Sequence, residues 1–310
     1  MNALKRLERA ASETFLKLRL IGRYGTPRPD RAKLPGCDHP IFFDPDDPCA
    51  RKKILKASMR GIVSDNLVFW REFNRHLKPD LCVDVGLNYG ECLIGTLYAP
   101  QTLLYGFEAH PKLIEHLEKS RDHHPDGERM TISHCLVSDA DADDRKFFID
   151  LDWSEMSSAV ETSGGEHRRS EIRLPARCID SVIPVEHARD KTILFKIDVE
   201  GFDAYALRGF KETLDAAQRF VGIVEYDTVF SSRAGVDCAD YLDWLGEHFD
   251  VFLIDSLKHR RLRPLPRHER EPSLVDSEKS YHTDLLLAGK GNPGGWLPPS
   301  WTIDRGHLSR

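Results

Sequence analysis

The sequence lacks several features that would assign it to a large class of proteins. No apolar run among its 310 residues approaches the ~20 residues that a membrane-spanning helix needs, and the N-terminus lacks the apolar core and cleavage site of a signal peptide. The seven cysteines include no Cys-x-x-Cys pair, which argues against a disulfide framework or zinc site and favours a reducing, cytoplasmic location. The net charge of −6 gives no overall reason to expect nucleic acid as a partner.

Two phosphate-binding motifs are missing as well. There is no Gly-x-x-x-x-Gly-Lys-Ser/Thr loop. The loop Gly86-Leu87-Asn88-Tyr89-Gly90 follows a short apolar run, but Asn88 replaces the second glycine of a dinucleotide fingerprint. Because that glycine lets the backbone reach a pyrophosphate, the loop favours a nucleoside cofactor without phosphates, of which S-adenosylmethionine is the common one. A nicotinamide-dependent oxidoreductase is the enzymatic alternative.

Apolar strand-like runs alternate with helix-like segments over most of the chain. The pattern predicts helices near residues 64–77, 91–98, 111–121, 203–218 and 237–248. It predicts strands at Leu81–Val85, Leu103–Phe107, Met130–Val137, Ile193–Ile197, Phe220–Val224, Val251–Ile254 and Asp284–Ala288, with further β segments at Arg145–Leu151 and Glu171–Cys178. Such alternation is typical of an open, mostly parallel sheet covered by helices on both faces, here with an antiparallel pair at one edge.

The boundaries divide the chain into three parts. Residues 1–63 form an N-terminal extension, 64–290 the α/β domain, and 291–310 an irregular tail rich in glycine and proline. Residues 3–21 predict an amphipathic helix with a basic polar side, which we expect to pack on the body or on a second subunit. The alternative is peripheral contact with the anionic inner membrane surface. The basic segment 258–270 is expected to be an exposed insertion, with contact to an anionic acceptor as the alternative.

Acidic residues stand at the end of nearly every predicted strand. In an open α/β sheet, ligands bind beyond the carboxyl ends of the strands, so these charges indicate a site. Glu108 follows Gly90 by 18 positions, close to the offset at which an acidic residue meets ribose hydroxyls. The set consists of Asp84, Glu108, Asp139, Asp198, Glu200 and Glu225.

Four segments of the sequence resemble the FkbM-type family of S-adenosylmethionine-dependent methyltransferases. They are Val-Asp-Val-Gly-Leu-Asn-Tyr-Gly-Glu at 83–91, Tyr-Gly-Phe-Glu-Ala-His-Pro at 105–111, Phe-Lys-Ile-Asp-Val-Glu-Gly-Phe at 195–202, and Gly-Ile-Val-Glu-Tyr at 222–226. Leu87 and Ala109 depart from the family, which usually has alanine and proline there. The resemblance implies a Rossmann-like class I methyltransferase fold, a seven-stranded sheet whose last strand is antiparallel. It also implies O-methylation of a hydroxyl on a sugar, glycan or secondary metabolite.

The resemblance also implies roles for individual residues. The methionine part of the cofactor would lie against Asp84, Gly86, Asn88 and Gly90, with Glu91 and Asp198 beside it. Glu108 would bind the ribose hydroxyls, Ser138 and Asp139 would lie near the adenine, and Ser157 and Ser158 match a serine pair that faces the substrate.

An alcohol must lose a proton as it attacks the methyl group, so a general base is needed. The candidates are Asp198, Glu200 and Glu225. We expect no metal, although these three carboxylates could hold a hard divalent cation through oxygen. His110, just before a helix-starting proline, is a weaker candidate for the base. A non-catalytic domain that binds only the cofactor or a partner is the remaining alternative.

Overall fold

The computed structural model describes residues 14–15, 17–151, 154, 157–159, 169–256, 259–265, 274–276 and 280–304. Its strands are β1 (Arg31–Ala32), β2 (Ile41–Phe42), β3 (Leu81–Val85), β4 (Leu103–Glu108), β5 (Met130–His134), β6 (Leu136–Val137), β7 (Ala142–Asp150), β8 (Arg169–Arg177), β9 (Thr192–Ile197), β10 (Arg219–Asp227), β11 (Phe249–Ser256), β12 (Arg261–Pro264), β13 (His282–Gly289) and β14 (Thr302–Ile303).

Helical residues 17–24 precede the labelled helices. These are α1 (Pro48–Ala50), α2 (Lys56–Arg60), α3 (Asp65–Leu77), α4 (Pro111–Asp122), α5 (Ile179–Val182), α6 (Asp203–Arg208), α7 (Lys211–Ala216), α8 (Thr228–Arg233) and α9 (Cys238–His248). A π-helical turn, Arg51–Leu55, joins α1 to α2. Short 3-10 turns occupy Gly127–Arg129 and Val185–His187.

The main sheet has the order β14-β12-β11-β13-β10-β9-β3-β4-β5 in the part of the chain that is described. The five strands from β5 to β10 are parallel, and β13 pairs antiparallel with β10 and β11. The seven strands from β5 to β11 therefore form the expected class I methyltransferase sheet, including its antiparallel last strand, β13. In addition, β6, β8 and β7 form a three-stranded sheet and β1 pairs with β2.

The sheet is wider at one edge than expected. β12 lies in the segment predicted to be a loop-like insertion, and β14 lies in the tail predicted to be irregular. A distant contact holds both in place: Glu72 on α3 accepts hydrogen bonds from Arg260 (Nε, 2.8 Å) and from the Trp301 indole (2.8 Å). Because Arg260 and Trp301 each precede one of these strands, the contact places the two strands together at the edge.

The predicted helix over residues 91–98 was wrong. The described backbone there forms turns, in which the amides of Ile94 and Gly95 both donate to the Gly90 carbonyl. The Leu93 amide donates instead to the carboxylate of Asp84 at 3.2 Å. Because the Gly95 amide pairs five residues back rather than four, the segment lacks the regular α-helical hydrogen-bond pattern.

Two other predicted elements are divided. The strand predicted over Met130–Val137 splits into β5 and β6, which belong to different sheets. The helix predicted over 203–218 splits into α6 and α7 at Gly209 and Phe210. Gly209 packs directly on the Ser138 carbonyl, where a Cβ would overlap it. This close approach, together with the low helix propensity of glycine, ends α6 there.

The core covers both faces of the main sheet. Along β3, Cys82 packs in one buried apolar cluster with α3, while Leu81 and Val83 pack in the other with α6 and α9. Helix α3 begins as predicted, because the Ser64 hydroxyl accepts from the Leu67 amide and caps the first turn. Its buried face, with Trp70 and Phe73, then closes one layer of the core.

The N-terminal extension is packed against this body where it is described. Leu20 is buried in the same cluster as α3, but Leu18 is 63% exposed and Ile21 is 45% exposed. The predicted apolar stripe is thus only partly covered, and residues 1–13 and 16 of that predicted helix lie outside the described residues. No helix within the described ranges is both long and apolar enough to cross a membrane.

Candidate active site

A cleft lies beyond the carboxyl ends of β3, β4 and β9, where parallel strands leave room for a ligand. Its floor is the loop 86–90 and its walls come from strand ends and from the N-terminal helices. The residues that line the cleft include Lys53, Ser64, Asn66, Asp84, Gly86, Asn88, Glu91, Glu108, Leu136, Phe147, Ser157, Lys196, Asp198 and Glu200. The cleft thus gathers most of the residues that the sequence predicted.

The glycine loop is shaped by close packing against β9. Gly86 has a φ of +77°, and a Cβ there would overlap the carbonyl oxygen of Asp198. Asn88 also has a left-handed φ of +50°, a conformation that asparagine tolerates better than most residues. Asparagine in place of glycine therefore keeps the turn while adding a side chain, whose oxygen accepts from the Tyr89 amide at 2.9 Å.

Glu108 is held at the end of β4 by two backbone amides. Asn88 N donates to one carboxylate oxygen at 2.7 Å and His110 N donates to the other at 2.8 Å. Burial raises the pKa of Glu108 to about 7 despite these hydrogen bonds. A carboxylate has about four acceptor positions. Two positions are occupied here, so the geometry leaves acceptors for a diol such as a ribose.

Glu91 presents an unpaired atom to the cleft. Its Oε1 is buried and has no hydrogen-bond partner among the described residues. Burial raises the Glu91 pKa, while Lys53 and hydrogen bonds with Ser64 oppose that rise. An unpartnered buried oxygen costs free energy until a donor reaches it. The ammonium group of an amino-acid moiety is a donor of suitable charge.

Lys196 links the two central strands beneath the cleft. It lies opposite Asp84 in the β3–β9 register, and its ammonium is 3.4 Å from Asp84 Oδ1 and 3.3 Å from Asp198 Oδ2. Burial alone would lower the Lys196 pKa, but the two carboxylates raise it well above its usual value. The same ammonium overcomes burial at Asp198, whose pKa is lowered. Asp84 itself is buried and both of its oxygens are engaged by the protein.

Asp198, Glu200 and Glu225 form a group that we call the carboxylate cluster. Each can place an oxygen within 4.8 Å of the others. Burial and the nearby Asp198 raise the pKa of Glu200 to about 8. Burial, Asp198 and Glu200 raise the pKa of Glu225 well above its usual value, and its Oε2 has no hydrogen-bond partner within the described residues. Glu200 lines the cleft directly, whereas Glu225 lies behind it.

The carboxylate cluster has the oxygen ligands that a hard cation prefers. It is also close to the Lys196 ammonium, which pairs with Asp198, and to the His282 imidazole, whose Nδ1 lies 3.7 Å from Glu225 Oε1. Carboxylates with raised pKa values lose much of their charge by protonation, which allows such a group to stand without an ion. Absence of a metal remains our prediction.

The turn that carries Glu200 depends on a residue that sequence reasoning missed. Asp203 is buried and accepts hydrogen bonds from the amides of Val199 and Gly201, both at 3.0 Å. Ser158 donates to the Glu200 carbonyl at 2.8 Å. These contacts hold Glu200 at a left-handed φ of +51°. An acidic residue at the start of a helix, two positions after a glycine, was the available signal.

Some predicted site residues are placed elsewhere. Ser138 is fully buried and its hydroxyl donates to Asp139, and neither residue lines the cleft. Leu136 and Phe147 occupy that side instead, so a role for Ser138 and Asp139 near adenine remains a prediction. His110 is buried and caps α4 through Nδ1, which accepts from the Lys112 amide at 3.2 Å. That contact favours a structural role.

Sequence reasoning also missed the contribution of the N-terminal helices. Lys53, Ser64 and Asn66 line the cleft from the π-helical turn, the α3 cap and the first turn of α3. The run Arg51-Lys52-Lys53 was the only local signal, and nothing in its spacing indicates the strand ends that it faces. The extension therefore forms part of the site.

Comparison with known proteins was made on sequence and on structure. A family model described as the methyltransferase FkbM domain matches residues 84–252, more than half of the chain. No curated protein matches the sequence.

Among solved structures, the chain is similar to methyltransferase FkbM from Methylobacillus flagellatus KT (15% identity, 68% of this chain and 44% of that one, TM-score 0.38). It is also similar to an O-methyltransferase from Bacillus cereus in complex with SAH (9% identity, 74% of this chain and 82% of that one, TM-score 0.39). A third similar structure is the cofactor-bound Rv0187 from MTB (13% identity, 74% of this chain and 80% of that one, TM-score 0.36). The chain spans less than half the length of the first of these proteins. All three TM-scores are below 0.5, so the assignment to a family depends on the sequence model.

Proposed function

This chain belongs to the FkbM family of S-adenosylmethionine-dependent methyltransferases, and from that premise we propose that it methylates a hydroxyl oxygen of a small molecule or glycan, with Glu200 as general base. The family sets aside a nicotinamide-dependent oxidoreductase. The observation that carries the proposal is a carboxyl group in the cleft whose pKa is raised to about 8.

The residues of the cleft fit the cofactor. The Glu91 Oε1 atom without a partner matches the ammonium of the methionine moiety, and the free acceptor positions of Glu108 match the ribose hydroxyls. The close approach of Gly86 to the Asp198 carbonyl fixes the glycine loop against the end of β9, which lines the same cleft. When bound, S-adenosylmethionine supplies an activated methyl group, whose bond to sulfur breaks as a new bond to the acceptor oxygen forms. Asp84 and Asp198 would act through Lys196, which fixes the loop by donating to the Gly86 carbonyl at 3.3 Å.

Glu200 is suited to accept the proton that the hydroxyl releases. A base works best when its pKa lies near the operating pH. At an ordinary pKa of roughly 4 a carboxylate is a weak base for an alcohol. Burial and the repulsion of Asp198 raise the pKa of Glu200 and so make it a stronger base. Glu225 would share in the same repulsion and help to hold the proton within the carboxylate cluster. Ser158 positions the Glu200 backbone.

The test is the Glu200→Gln variant, assayed by transfer of radiolabelled methyl from S-adenosylmethionine to a panel of hydroxyl acceptors. We expect turnover to fall by roughly 10²–10⁴-fold, the usual contribution of a general base, while affinity for S-adenosylhomocysteine is unchanged. Asp284→Asn is the matched control, because Asp284 also faces these charges but does not line the cleft. Full turnover in Glu200→Gln would exclude the base. NMR of the product identifies whether oxygen carries the methyl group.

We also infer what the N-terminal helix contacts and where the protein is located. The exposed Leu18 and Ile21 support contact of the N-terminal helix with a second subunit or with the inner membrane surface. A cytoplasmic location and the absence of nucleic acid as a partner remain predictions from composition. A non-catalytic scaffold would bind S-adenosylhomocysteine yet show no transfer with any acceptor.

A further inference from the structure

A second depression opens beside the cleft along the N-terminal helices. We call it the basic groove. It encloses about 370 Å³, and it is lined by Lys52, Lys53, Lys56, Ala57, Arg60, Ile62, Val63, Ser64 and Glu91. Four of these nine residues are cationic. None of these four cations is among the site residues predicted from the sequence.

The charge of this segment is unusual for the chain. Between Asp47 and Asp65 there are five cations (Arg51, Lys52, Lys53, Lys56 and Arg60) and no carboxylate, in a protein whose net charge is −6. Three of them are spaced four residues apart, at positions 52, 56 and 60, so they share one helical face. Like charges at this spacing destabilise a helix by roughly 0.2–0.5 kcal/mol per pair. Apart from Arg60, which lies in the last turn of α2 where a cation is favourable, the spacing itself does not stabilise the helix.

The outer half of the basic groove lacks internal neutralisation. Lys56 and Arg60 are exposed, and neither has a carboxylate partner within the described ranges of the chain. Ile62 beside them is 68% exposed. The positive charges of Lys56 and Arg60 thus face solvent.

The basic groove adjoins the cleft. Lys53, Ser64 and Glu91 line both of them. Lys53 is half-buried at this boundary, and its charge acts on both Glu91 and Glu200. A group held in the basic groove would therefore lie beside the cleft, with only these three shared residues between them.

We propose that the basic groove binds a phosphate or diphosphate group of the methyl acceptor. The inference rests on the proposed function, which supplies the hydroxyl end of the same molecule. Arg60 offers a planar fork for two phosphate oxygens, and the lysines offer point charges. From Lys52 to Arg60 the helix rises by roughly 12 Å, enough to accommodate a diphosphate beside a sugar. An uncharged acceptor would leave the exposed charges of Lys56 and Arg60 unused.

The experiment measures binding on the full chain by isothermal titration calorimetry, with inorganic diphosphate as the probe. We expect saturable binding that weakens as salt is added, because exposed charges are screened. In the double variant Lys56→Gln/Arg60→Gln the affinity should fall by about tenfold or more, as expected for charge-assisted contacts. The matched control is Arg189→Gln/Lys191→Gln, which removes the same charge at the opposite end of β9 and should bind like the wild type.

Three further titrants identify the source of the phosphate. A hexose 1-phosphate and a nucleoside diphosphate hexose are each competed against inorganic diphosphate, and the free hexose is the comparison. Competition by either phosphorylated compound supports the proposal and shows which kind of acceptor is used. Equal binding of the free hexose, or unchanged diphosphate affinity in the double variant, would overturn it.

S-adenosylhomocysteine is titrated into the same preparations. If it binds and diphosphate does not, the basic groove has no phosphate site but the methyltransferase proposal stands. If it fails to bind the wild type, the proposed function itself fails. Retained binding in the double variant shows that the substitutions leave the fold intact.

Discussion

Replacing Glu108 with glutamine removes a carboxyl group that is buried at the end of β4. Burial raises its pKa from an ordinary 4.5 to about 7, so the folded state disfavours the charged form. As pH rises past 4.5 the unfolded chain loses this proton first. The wild type therefore loses stability between pH 4.5 and about 7, and the loss is constant above that. At 1.36 kcal/mol per pKa unit, this amounts to about 3 kcal/mol.

The assay is urea unfolding of the ligand-free wild type and of Glu108→Gln at pH 5 and pH 8. We expect the variant to gain about 2.5 kcal/mol relative to the wild type between these two pH values, since a small part of the loss has already occurred at pH 5. The glutamine side chain has one acceptor oxygen and can accept from only one of the two amides. That loss of stability is the same at both pH values, so it cancels when the change in unfolding free energy with pH is compared. Glu118→Gln, on an exposed face of α4, is the control and should show no such gain. Identical pH slopes for wild type and Glu108→Gln would refute the reasoning.

Glu108→Gln also tests the ribose contact. A glutamine offers one oxygen where the carboxylate offers two, and one backbone amide already competes for it. Loss of a charged acceptor for a hydroxyl costs roughly 1.5–3 kcal/mol. Affinity for S-adenosylhomocysteine should therefore fall by about tenfold to a hundredfold, as measured by calorimetry at pH 8. Unchanged affinity would place the ribose elsewhere.

Three more predictions concern the floor of the cleft. Gly86→Ala should lower both the melting temperature and cofactor affinity, because the added Cβ overlaps neighbouring backbone. Gly291 has a similar φ but open space around it, so Gly291→Ala should lower the melting temperature less. Equal stability of these two variants would contradict the packing argument. Asp84→Ala should abolish cofactor binding and destabilise the protein in urea unfolding by less than the roughly 3–5 kcal/mol of a buried charge left unpaired, since Lys196 keeps Asp198 as a partner. Dialysis against a chelator should leave turnover unchanged, and recovery of lost activity by Mg²⁺ would instead place an ion at the carboxylate cluster.

The sequence predicted those parts of the fold whose causes are local. The helix α3 has its cap, Ser64, next to its apolar face, and β3 is an apolar run followed by a glycine turn. Elements decided by distant partners were not predictable. Gly209, where the helix predicted over 203–218 divides, packs on the distant Ser138 carbonyl, and β12 is fixed at the edge by contact between Arg260 and Glu72, 188 positions apart.

The same distinction applies to the candidate site. Strand-end carboxylates could be located because each follows its own strand. Glu108 contacts the glycine loop through the Asn88 amide, and its contact with ribose hydroxyls stays a prediction. Lys53 could not be located, because it reaches the cleft from a helix that precedes the first strand of the main sheet. The spacing of Lys53 and its neighbours shows which residues share one face of a helix. It does not show which part of the fold lies opposite that face.

The positions along β9 explain why two acids so close in sequence differ in chemistry. Lys196 lies within the strand opposite Asp84, so its ammonium is fixed between Asp84 and Asp198. Asp198 consequently keeps a lowered pKa and stays ionised. Glu200 lies beyond the strand end, out of hydrogen-bonding contact with that ammonium, and burial together with the ionised Asp198 raises its pKa to about 8. The cation thus keeps Asp198 as a fixed anion, whereas burial makes Glu200 a carboxyl group that exchanges its proton near neutral pH, as a general base requires.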